Sequence, residues 1–356
     1  MDKTAYLILQ NGTVFNGRRF GAPGDITAEL VFTTAMNGYL ETLTDPSYHG
    51  QMVVQTFPLI GNYGVIPDDF ESPAPRLSAY IVREICEGPA NFRCEGRLDN
   101  YLQDAGIIGL TGVDTRTLTK IIREYGVMNA AIVSELPANL PAFVAKLSHQ
   151  KLGSDVYQVT CKAPSSLNPT GDKHVVLWDF GYKKGMATEL IARNCRVTVV
   201  PACSSAKDIL ALQPQGILLS NGPGDPAVNI DIIRELREVM AAKIPMCGIC
   251  LGHQLMALSQ GARSVKLRYG HRGANQPVRD VQTGRLYITS QNHGYAIEND
   301  TLPANAKLRF ENLNDNTCEG IDYLDVPAFS VQFHPEARGG PLDTAFLFDR
   351  FISMME

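Results

Sequence analysis

The sequence has few of the features that mark membrane or nucleic-acid-binding proteins. Of its 356 residues only 19% are charged, and 37 acidic residues outnumber 32 basic ones, giving a formal net charge of −5. It has no basic run of the density that nucleic-acid surfaces need, so we expect no nucleic-acid partner. No apolar run approaches the roughly 20 residues of a membrane span, so we expect no membrane association.

The sequence also lacks the spacings typical of disulfide frameworks, metal sites and ATP-binding loops. Its eight cysteines are scattered, and its seven histidines form no paired ligand motif. Scattered cysteines in a chain of this size are typical of reduced thiols, and residues 1–4 do not have the form of a signal peptide. We therefore expect a cytoplasmic protein with no metal site. The Gly-x-x-x-x-Gly-Lys-[Ser/Thr] loop is missing, so we expect no cofactor in this chain.

Length and patterning predict two domains. A polar stretch rich in Pro, Ser and Gly at 162–173 is typical of a linker. Before it, short strand-like runs separated by turn residues predict a β-rich mixed domain with one helix near 116–125. After it, apolar strand-like runs alternate with helical patterns, which predicts an α/β fold with a doubly wound, mostly parallel sheet. The predicted boundaries are 1–150, a linker at 151–172, and 173–356.

The strongest chemical signal is the segment 248–254, which reads GICLGHQ. An apolar strand-like run enters it and a helical pattern leaves it, so Cys250 lies on a predicted strand-to-helix turn flanked by glycines. This pattern matches the Gly-x-Ser-x-Gly nucleophile elbow, with a cysteine sulfur in place of the serine oxygen. The positive N-terminal end of the following helix favours the thiolate, so Cys250 is a candidate nucleophile.

A candidate base lies downstream, in the segment 331–336, VQFHPE. In an extended segment His334 and Glu336 project to the same side, so the carboxylate can orient the imidazole while its other nitrogen faces the cysteine. A third element, the segment 220–226, SNGPGDP, follows a strand-like run and exposes backbone amides of the kind that an oxyanion hole requires.

Each motif also has an alternative explanation that does not involve nucleophilic catalysis. Cys250 could be a buried structural thiol, and Cys247 with Cys250 forms a Cys-x-x-Cys that could be a thioredoxin-like redox pair. A lone His-Pro-Glu and a Gly/Pro-rich loop are weak signals by themselves. Together the three motifs favour a nucleophile, a base and an orienting carboxylate.

These three motifs, in this order, resemble the class I glutamine amidotransferases. The resemblance implies that Cys250 is the nucleophile, His334 the general base and acid, and Glu336 the residue that orients it. It also implies a glutamine site formed by seven residues of the second half: Gly222, Gly224, Leu251, Gln254, Asn292, Gly294 and Tyr295.

Over its whole length the chain resembles the small, glutaminase subunits of carbamoyl-phosphate synthetases, through stretches at 38–48, 57–64, 112–116 and 176–184. This implies an enzyme that hydrolyses L-glutamine through a Cys thioester. The ammonia would pass to a large synthetase subunit that makes carbamoyl phosphate from bicarbonate and ATP, for arginine or pyrimidine biosynthesis. ATP and magnesium would belong to that partner of the heterodimer, and Ser47 would lie near bound glutamine.

Two further interpretations stay open beside this one. Another class I amidotransferase, serving anthranilate, GMP or CTP synthesis, would share the second half but not this N-terminal half. A non-enzymatic scaffold would be expected to have lost Cys250, His334 or Glu336, and all three are present.

Overall fold

The structure, a computed structural model, describes residues 4–150 and 155–356. The chain divides into two compact units, Met1–Ser154 and Asp155–Glu356. In the described ranges, no helix has both the length and the apolar character needed to cross a membrane.

The first unit is built on a closed β-barrel. Its strands are β1 (Thr4–Leu9), β2 (Val14–Gly21), β3 (Ile26–Thr33), β4 (Gln51–Gln55), β5 (Leu59–Ile60), β6 (Ala79–Ile81), β7 (Glu84–Ile85), β8 (Ile108–Thr111) and β9 (Met128–Val133). Its helices are α1 (Tyr39–Thr44), α2 (Leu98–Asp104), α3 (Thr115–Tyr125) and α4 (Leu140–His149). The barrel has the order β1-β2-β8-β6-β4-β3-β9, and closing it leaves these seven strands without a free edge.

The helix predicted near 116–125 is confirmed as α3. The Asp114 carboxylate caps it by accepting a hydrogen bond from the backbone N–H of Thr117 at 3.0 Å. Leu118 and Ile122, one turn apart, are fully buried on its inner face. The β-rich mixed character predicted for this half is confirmed by the barrel.

The second unit is an α/β sheet of ten strands. Its strands are β10 (Ser165–Leu167), β11 (Lys173–Asp179), β12 (Cys195–Pro201), β13 (Gly216–Leu219), β14 (Met246–Ile249), β15 (Ser264–Asp280), β16 (Leu286–Ile297), β17 (Ala306–Asn312), β18 (Cys318–Tyr323) and β19 (Ala328–Val331). Its helices are α5 (Lys184–Ala192), α6 (Ala206–Ala211), α7 (Ile230–Ala241), α8 (Leu251–Ser259) and α9 (Phe346–Ser353). The sheet order is β10-β12-β11-β13-β14-β19-β18-β17-β15-β16.

The parallel part of this sheet positions the candidate site. Strands β12, β11, β13, β14 and β19 pair in parallel, and both faces of β11 are buried. Val176 and Trp178 pack into the apolar cluster on one face, while Val175 and Leu177 pack into the cluster on the other. The predicted doubly wound sheet is confirmed, and strands β15–β18 add an antiparallel extension that the sequence analysis did not predict.

Part of the predicted linker belongs to the sheet. Residues 151–154 lie outside the described residues, whereas Ser165–Leu167 forms β10, which pairs antiparallel with β12. Ser165 and Ser166 are exposed at this edge of the sheet, which explains why their polarity favoured a linker in the sequence analysis.

Candidate functional site

Cys250 lies between the end of β14 and the start of α8, at the predicted strand-to-helix turn. Its backbone has φ 55° and ψ −105°, a conformation that non-glycine residues rarely adopt and that costs on the order of 1–3 kcal/mol. Its N–H donates to the carbonyl of Val331 at 2.9 Å, which ties the turn to β19. A Cβ on Gly252 would lie 2.5 Å from the carbonyl oxygen of Leu219, so this position has no room for a side chain. The turn has the geometry of a nucleophile elbow.

His334 and Glu336 lie beside this turn and contact each other. The Nδ1 atom of His334 lies 2.7 Å from Oε1 of Glu336, and both side chains are buried. The Cys250 side chain interacts with His334 and contributes to its raised pKa. The three predicted catalytic residues are therefore brought together.

The local backbone around His334 differs from the prediction. Residues 332–337 form a bend and a turn after β19, not an extended segment. The N–H of Ala337 donates to the carbonyl of His334 at 3.3 Å, which closes the turn around Pro335. The turn brings Glu336 back to the imidazole, so the contact forms for a different reason than strand periodicity.

Lys183 completes the site, and the sequence analysis did not single it out. Its Nζ lies 2.7 Å from Oε1 of Glu336, and both side chains are buried. Burial alone would raise the pKa of Glu336, but the Lys183 charge, followed by His334, lowers it to about 2. Glu336 is thus held as a carboxylate by two buried partners. The sequence signal that could have identified Lys183 is its position shortly after the apolar run that forms β11.

The same contacts determine the charge state of His334. Burial and the Lys183 ammonium both lower its pKa, but Glu336 and Cys250 more than offset them, and the net effect is a raised pKa. His334 is therefore poised to carry a proton when Cys250 is ionised.

A second histidine, His253, follows the nucleophile turn and is buried. Its Nδ1 contacts the Ser330 hydroxyl at 2.8 Å, and burial lowers its pKa to about 3.

The loop 220–225 lies against the nucleophile turn. A Cβ on Gly222 would lie 2.4 Å from the Phe180 carbonyl oxygen and 2.6 Å from Cδ2 of Leu251, so the loop and the start of α8 are in contact. Gly224 has φ +87°, in the region that favours glycine. Leu251 is the first residue of α8, so its N–H has no acceptor within the helix.

The remaining predicted glutamine contacts lie on β16 and α8. Sγ of Cys250 lies 3.6 Å from the carbonyl oxygen of Asn292. Nε2 of Gln254 donates to the Tyr295 carbonyl at 2.8 Å, so this amide braces the segment 291–295. A Cβ on Gly294 would lie 3.2 Å from the Arg272 guanidinium, which packs beside the segment.

The sequence analysis also singled out Ser47, as a residue near bound glutamine, and Cys247, as the second thiol of a Cys-x-x-Cys pair. Ser47 belongs to the first unit, in a buried helical turn, Pro46–Tyr48, where its N–H donates to the Asp45 carboxylate at 2.9 Å. Cys247 is buried within β14, and burial raises its pKa well above the ordinary value. A redox pair requires an accessible, low-pKa thiol, so the geometry of Cys247 disfavours the thioredoxin-like interpretation.

The structure also gathers ligand-type side chains away from the nucleophile. His271, His293 and Glu319 each offer one atom, and these atoms lie within 4.8 Å of one another. No spacing in the sequence connects these residues, because they come from three different strands, β15, β16 and β18.

Comparisons with known proteins match both halves of the chain. Residues 7–132 match the family model described as carbamoyl-phosphate synthase small chain, CPSase domain, and residues 176–354 match glutamine amidotransferase class-I. The carbamoyl phosphate synthase small chain of Staphylococcus epidermidis is 48% identical over 358 residues, covering 100% of this chain and 97% of that protein. The small chain of Lactococcus lactis subsp. cremoris is 45% identical and covers 98% of each chain.

A solved structure, a glutamine amidotransferase from Thermotoga maritima, is 18% identical with a TM-score of 0.38, covering 46% of this chain and 76% of that one. The family models and the full-length relatives settle the assignment. The chain belongs to the carbamoyl phosphate synthase small chain family and carries a class I glutamine amidotransferase domain in its second half.

Proposed function

We propose that this chain hydrolyses L-glutamine through a thioester on Cys250 and delivers the ammonia to a large synthetase subunit. The observation that carries the proposal is the buried array of Cys250, His334 and Glu336 at the carboxyl end of β14. Family membership supports the same activity. The array contains a nucleophile, a base with one nitrogen held by a carboxylate, and a cation that keeps that carboxylate ionised.

Acylation begins when the Cys250 thiolate attacks the carbon of the glutamine carboxamide. The developing oxyanion would be held by backbone N–H groups of Gly224 and Leu251. As the C–N bond breaks, His334 transfers its proton to the nitrogen, and ammonia leaves. The γ-glutamyl thioester remains on Cys250, and His334 is neutral.

Deacylation uses the same base. Neutral His334 takes a proton from water, the hydroxide attacks the thioester carbon, and glutamate leaves as the thiolate of Cys250 is restored. The proton now on His334 is the one required for the next cycle. Gly222, Gln254, Asn292, Gly294 and Tyr295 would form the surroundings of the bound glutamine.

The ammonia requires a protected route, because in water it would be lost as ammonium. We propose a 1:1 heterodimer with a large subunit that binds ATP and magnesium and uses bicarbonate to form carbamoyl phosphate. Residues 1–150 would supply much of the docking surface, and residues 173–356 would form the amidotransferase domain. A cytoplasmic location accords with this role.

The test is glutamate and ammonia release by wild type, Cys250→Ser and Cys247→Ser, each with and without the large subunit. We expect Cys250→Ser to lose activity by about 10³-fold or more, because it removes the nucleophile. Cys247→Ser should stay close to wild type, and wild-type turnover should rise on pairing. Acid quenching during turnover should trap a γ-glutamyl group on Cys250. Equal loss in both variants would point to the Cys-x-x-Cys pair, and no activity in any sample would point to a scaffold.

A further inference from the structure

A second buried polar cluster lies in the antiparallel part of the sheet, outside the array of Cys250, His334 and Glu336. It combines His271 of β15, Gln291 and His293 of β16, Asn312 of β17 and Glu319 of β18, and every one of these side chains is buried. His271 and His293 face each other across paired strands, with ring centroids 4.9 Å apart at an interplanar angle of 86°. The activity proposed above assigns this cluster no role.

The hydrogen bonds show that His271 lies between two carboxylates. Its Nε2 is 2.8 Å from Oδ2 of Asp315, and its Nδ1 is 3.4 Å from Oε1 of Glu319. Carboxylate oxygens accept hydrogen bonds, so both ring nitrogens are best matched when both carry protons. Burial lowers the pKa of His271, but the hydrogen bonds to Asp315 and Glu319 outweigh it and raise the pKa to about 9. The two carboxylates therefore favour the protonated ring of His271, although burial raises the pKa of Glu319 itself.

Glu319 connects His271 to β16. Its Oε2 accepts from Nε2 of Gln291 at 2.9 Å, and its Oε1 accepts from Nδ2 of Asn312 at 3.2 Å. The same Gln291 nitrogen lies 3.1 Å from the Thr289 hydroxyl, which fixes the orientation of the amide. The Gln291 oxygen lies 3.1 Å from Nε2 of His293; burial lowers the pKa of His293, so its neutral ring carries one proton, on Nδ1, and this contact is packing and not a hydrogen bond.

The chain of contacts ends at the predicted glutamine-binding segment. Nδ1 of His293 donates to the Tyr295 carbonyl at 2.8 Å, because a carbonyl oxygen can only accept. Gln291 and His293 flank Asn292, whose carbonyl contacts the Cys250 thiol. The cluster therefore holds both sides of the residue that lies against the nucleophile.

We propose that buried His271, paired with buried Glu319 and exposed Asp315, positions the segment 291–295 for glutamine binding. This inference rests on the function proposed above. It makes Glu319 and His271 positioning residues, which act through Gln291 and His293 and do not contact the reacting atoms. Both oxygens of Glu319 accept hydrogen bonds, from Gln291 and Asn312, so this buried carboxylate connects β18 with β16 and β17.

A metal site is the competing interpretation, since His271, His293 and Glu319 converge. The amide nitrogen of Asn312 lies 3.2 Å from Oε1 of Glu319 and 3.4 Å from Nδ1 of His271. The Asn312 amide nitrogen is a donor and cannot serve as a metal ligand, and it occupies the space beside two of the three ligand atoms, so the geometry favours a hydrogen-bonded cluster over a metal site.

The test is steady-state glutamine hydrolysis by the full-length chain carrying Glu319→Gln, which removes the charge and keeps the shape. We expect the KM for glutamine to rise about tenfold with kcat within about twofold of wild type, because binding is lost equally in the ground state and the transition state. Asp315→Asn, at a more exposed position, should raise KM by about threefold in the same direction. Glu298→Gln is the matched control, because Glu298 follows β16 and pairs with the exposed Arg263 just before β15, and its KM should not change.

Three results would overturn the inference while leaving the proposed function intact. Unchanged KM in both cluster variants, even with a lower unfolding temperature, would reduce the cluster to a purely structural role. A lower kcat at constant KM would contradict a role in binding. A stoichiometric transition metal in the purified chain that is lost with His271→Asn would establish the metal site instead. A wild-type chain without glutaminase activity, alone or paired, would refute the proposed function, and this inference with it.

Discussion

Replacing Lys183 with Met should weaken the second unit and the proposed hydrolysis together. Lys183 and Glu336 form a buried pair with Nζ and Oε1 2.7 Å apart, and removing the cation leaves a buried carboxylate with His334 as its remaining charged partner. The pKa of Glu336 falls from 4.5 to about 2, which corresponds to roughly 3 kcal/mol in favour of the carboxylate. Lys183 is the largest contributor to this lowering.

Breaking a buried pair by removing one partner typically costs about 3–5 kcal/mol. Because His334 still pairs with Glu336, we expect about 2–3 kcal/mol for Lys183→Met, which lowers the calorimetric midpoint of the second unit by roughly 5–10 °C. We also expect kcat/KM for glutamine to fall about tenfold or more, because Lys183 holds Glu336, which orients His334. This loss is a part of the roughly 10²–10⁴-fold rate increase that a positioned acid–base group contributes.

The pH dependence gives a second readout. A carboxyl group with a lowered pKa contributes stability that is present above its unfolded-state pKa and is lost as pH falls towards the folded-state value. In wild type this loss should occur between about pH 4.5 and 2. In Lys183→Met the folded-state pKa of Glu336 rises, so this contribution is smaller and is lost at a higher pH.

Two variants make the reasoning refutable. Lys184→Met removes the adjacent, exposed lysine and should leave the midpoint and kcat/KM close to wild type. The double variant Lys183→Met/Glu336→Gln removes both charges, and it should be more stable than Lys183→Met alone because no buried carboxylate is left without its lysine. If Lys183→Met behaved like Lys184→Met, or if the two changes of the double variant were additive, the buried pair would not have the role assigned to it.

Two further predictions concern the nucleophile turn. Gly252→Ala should lower the free energy of unfolding of the second unit by about 1–3 kcal/mol, because the added Cβ would lie 2.5 Å from the backbone carbonyl oxygen of Leu219. The control Gly88→Ala, whose Cβ would have nothing within 4 Å, should change it by no more than about 0.5 kcal/mol, and equal effects of the two variants would contradict the steric argument. Burial lowers the pKa of His253 from 6.5 to about 3, so between these values the unfolded state binds more protons and stability falls as pH falls. His253→Asn should flatten the stability-against-pH curve over this range relative to the exposed-site control His149→Asn, and an unchanged slope would show that His253 is not buried neutral.

The sequence could predict the parts of the site that are local. Glycines around Cys250 reflect a turn with no space for side chains, and His334 and Glu336 are two residues apart, so any compact backbone brings them close. Their contact was predicted from an extended strand, but it forms through a turn in which the Ala337 N–H donates to the His334 carbonyl. The predicted contact of His334 with Glu336 is present, but the backbone that forms it is a turn and not the predicted extended segment.

The antiparallel extension could not be predicted in the same way. Strand β15 reads SVKLRYGHRGANQPVRD, and its burial does not alternate regularly with period two. Its pairing with β16 shifts register between Lys266 and His271 and again between Gly273 and Gln276. Because a register shift of one residue reverses which side chains face the core, a polar strand of this kind carries no simple strand signal. The cluster of His271 and Glu319 depends on that pairing and was missed with it.

Lys183 was missed for a reason that topology explains. In the sheet, β11, β13, β14 and β19 are consecutive neighbours and run in parallel, so their carboxyl ends meet at one edge. Lys183 follows β11, Cys250 follows β14 and His334 follows β19, which brings three residues distant in sequence to the same place. Once a doubly wound sheet is predicted, each polar residue just after a parallel strand becomes a candidate for the site. Applied to this chain, that criterion selects Lys183 as well as Cys250 and His334, and Lys183 then reaches Glu336 past the ends of β13 and β14.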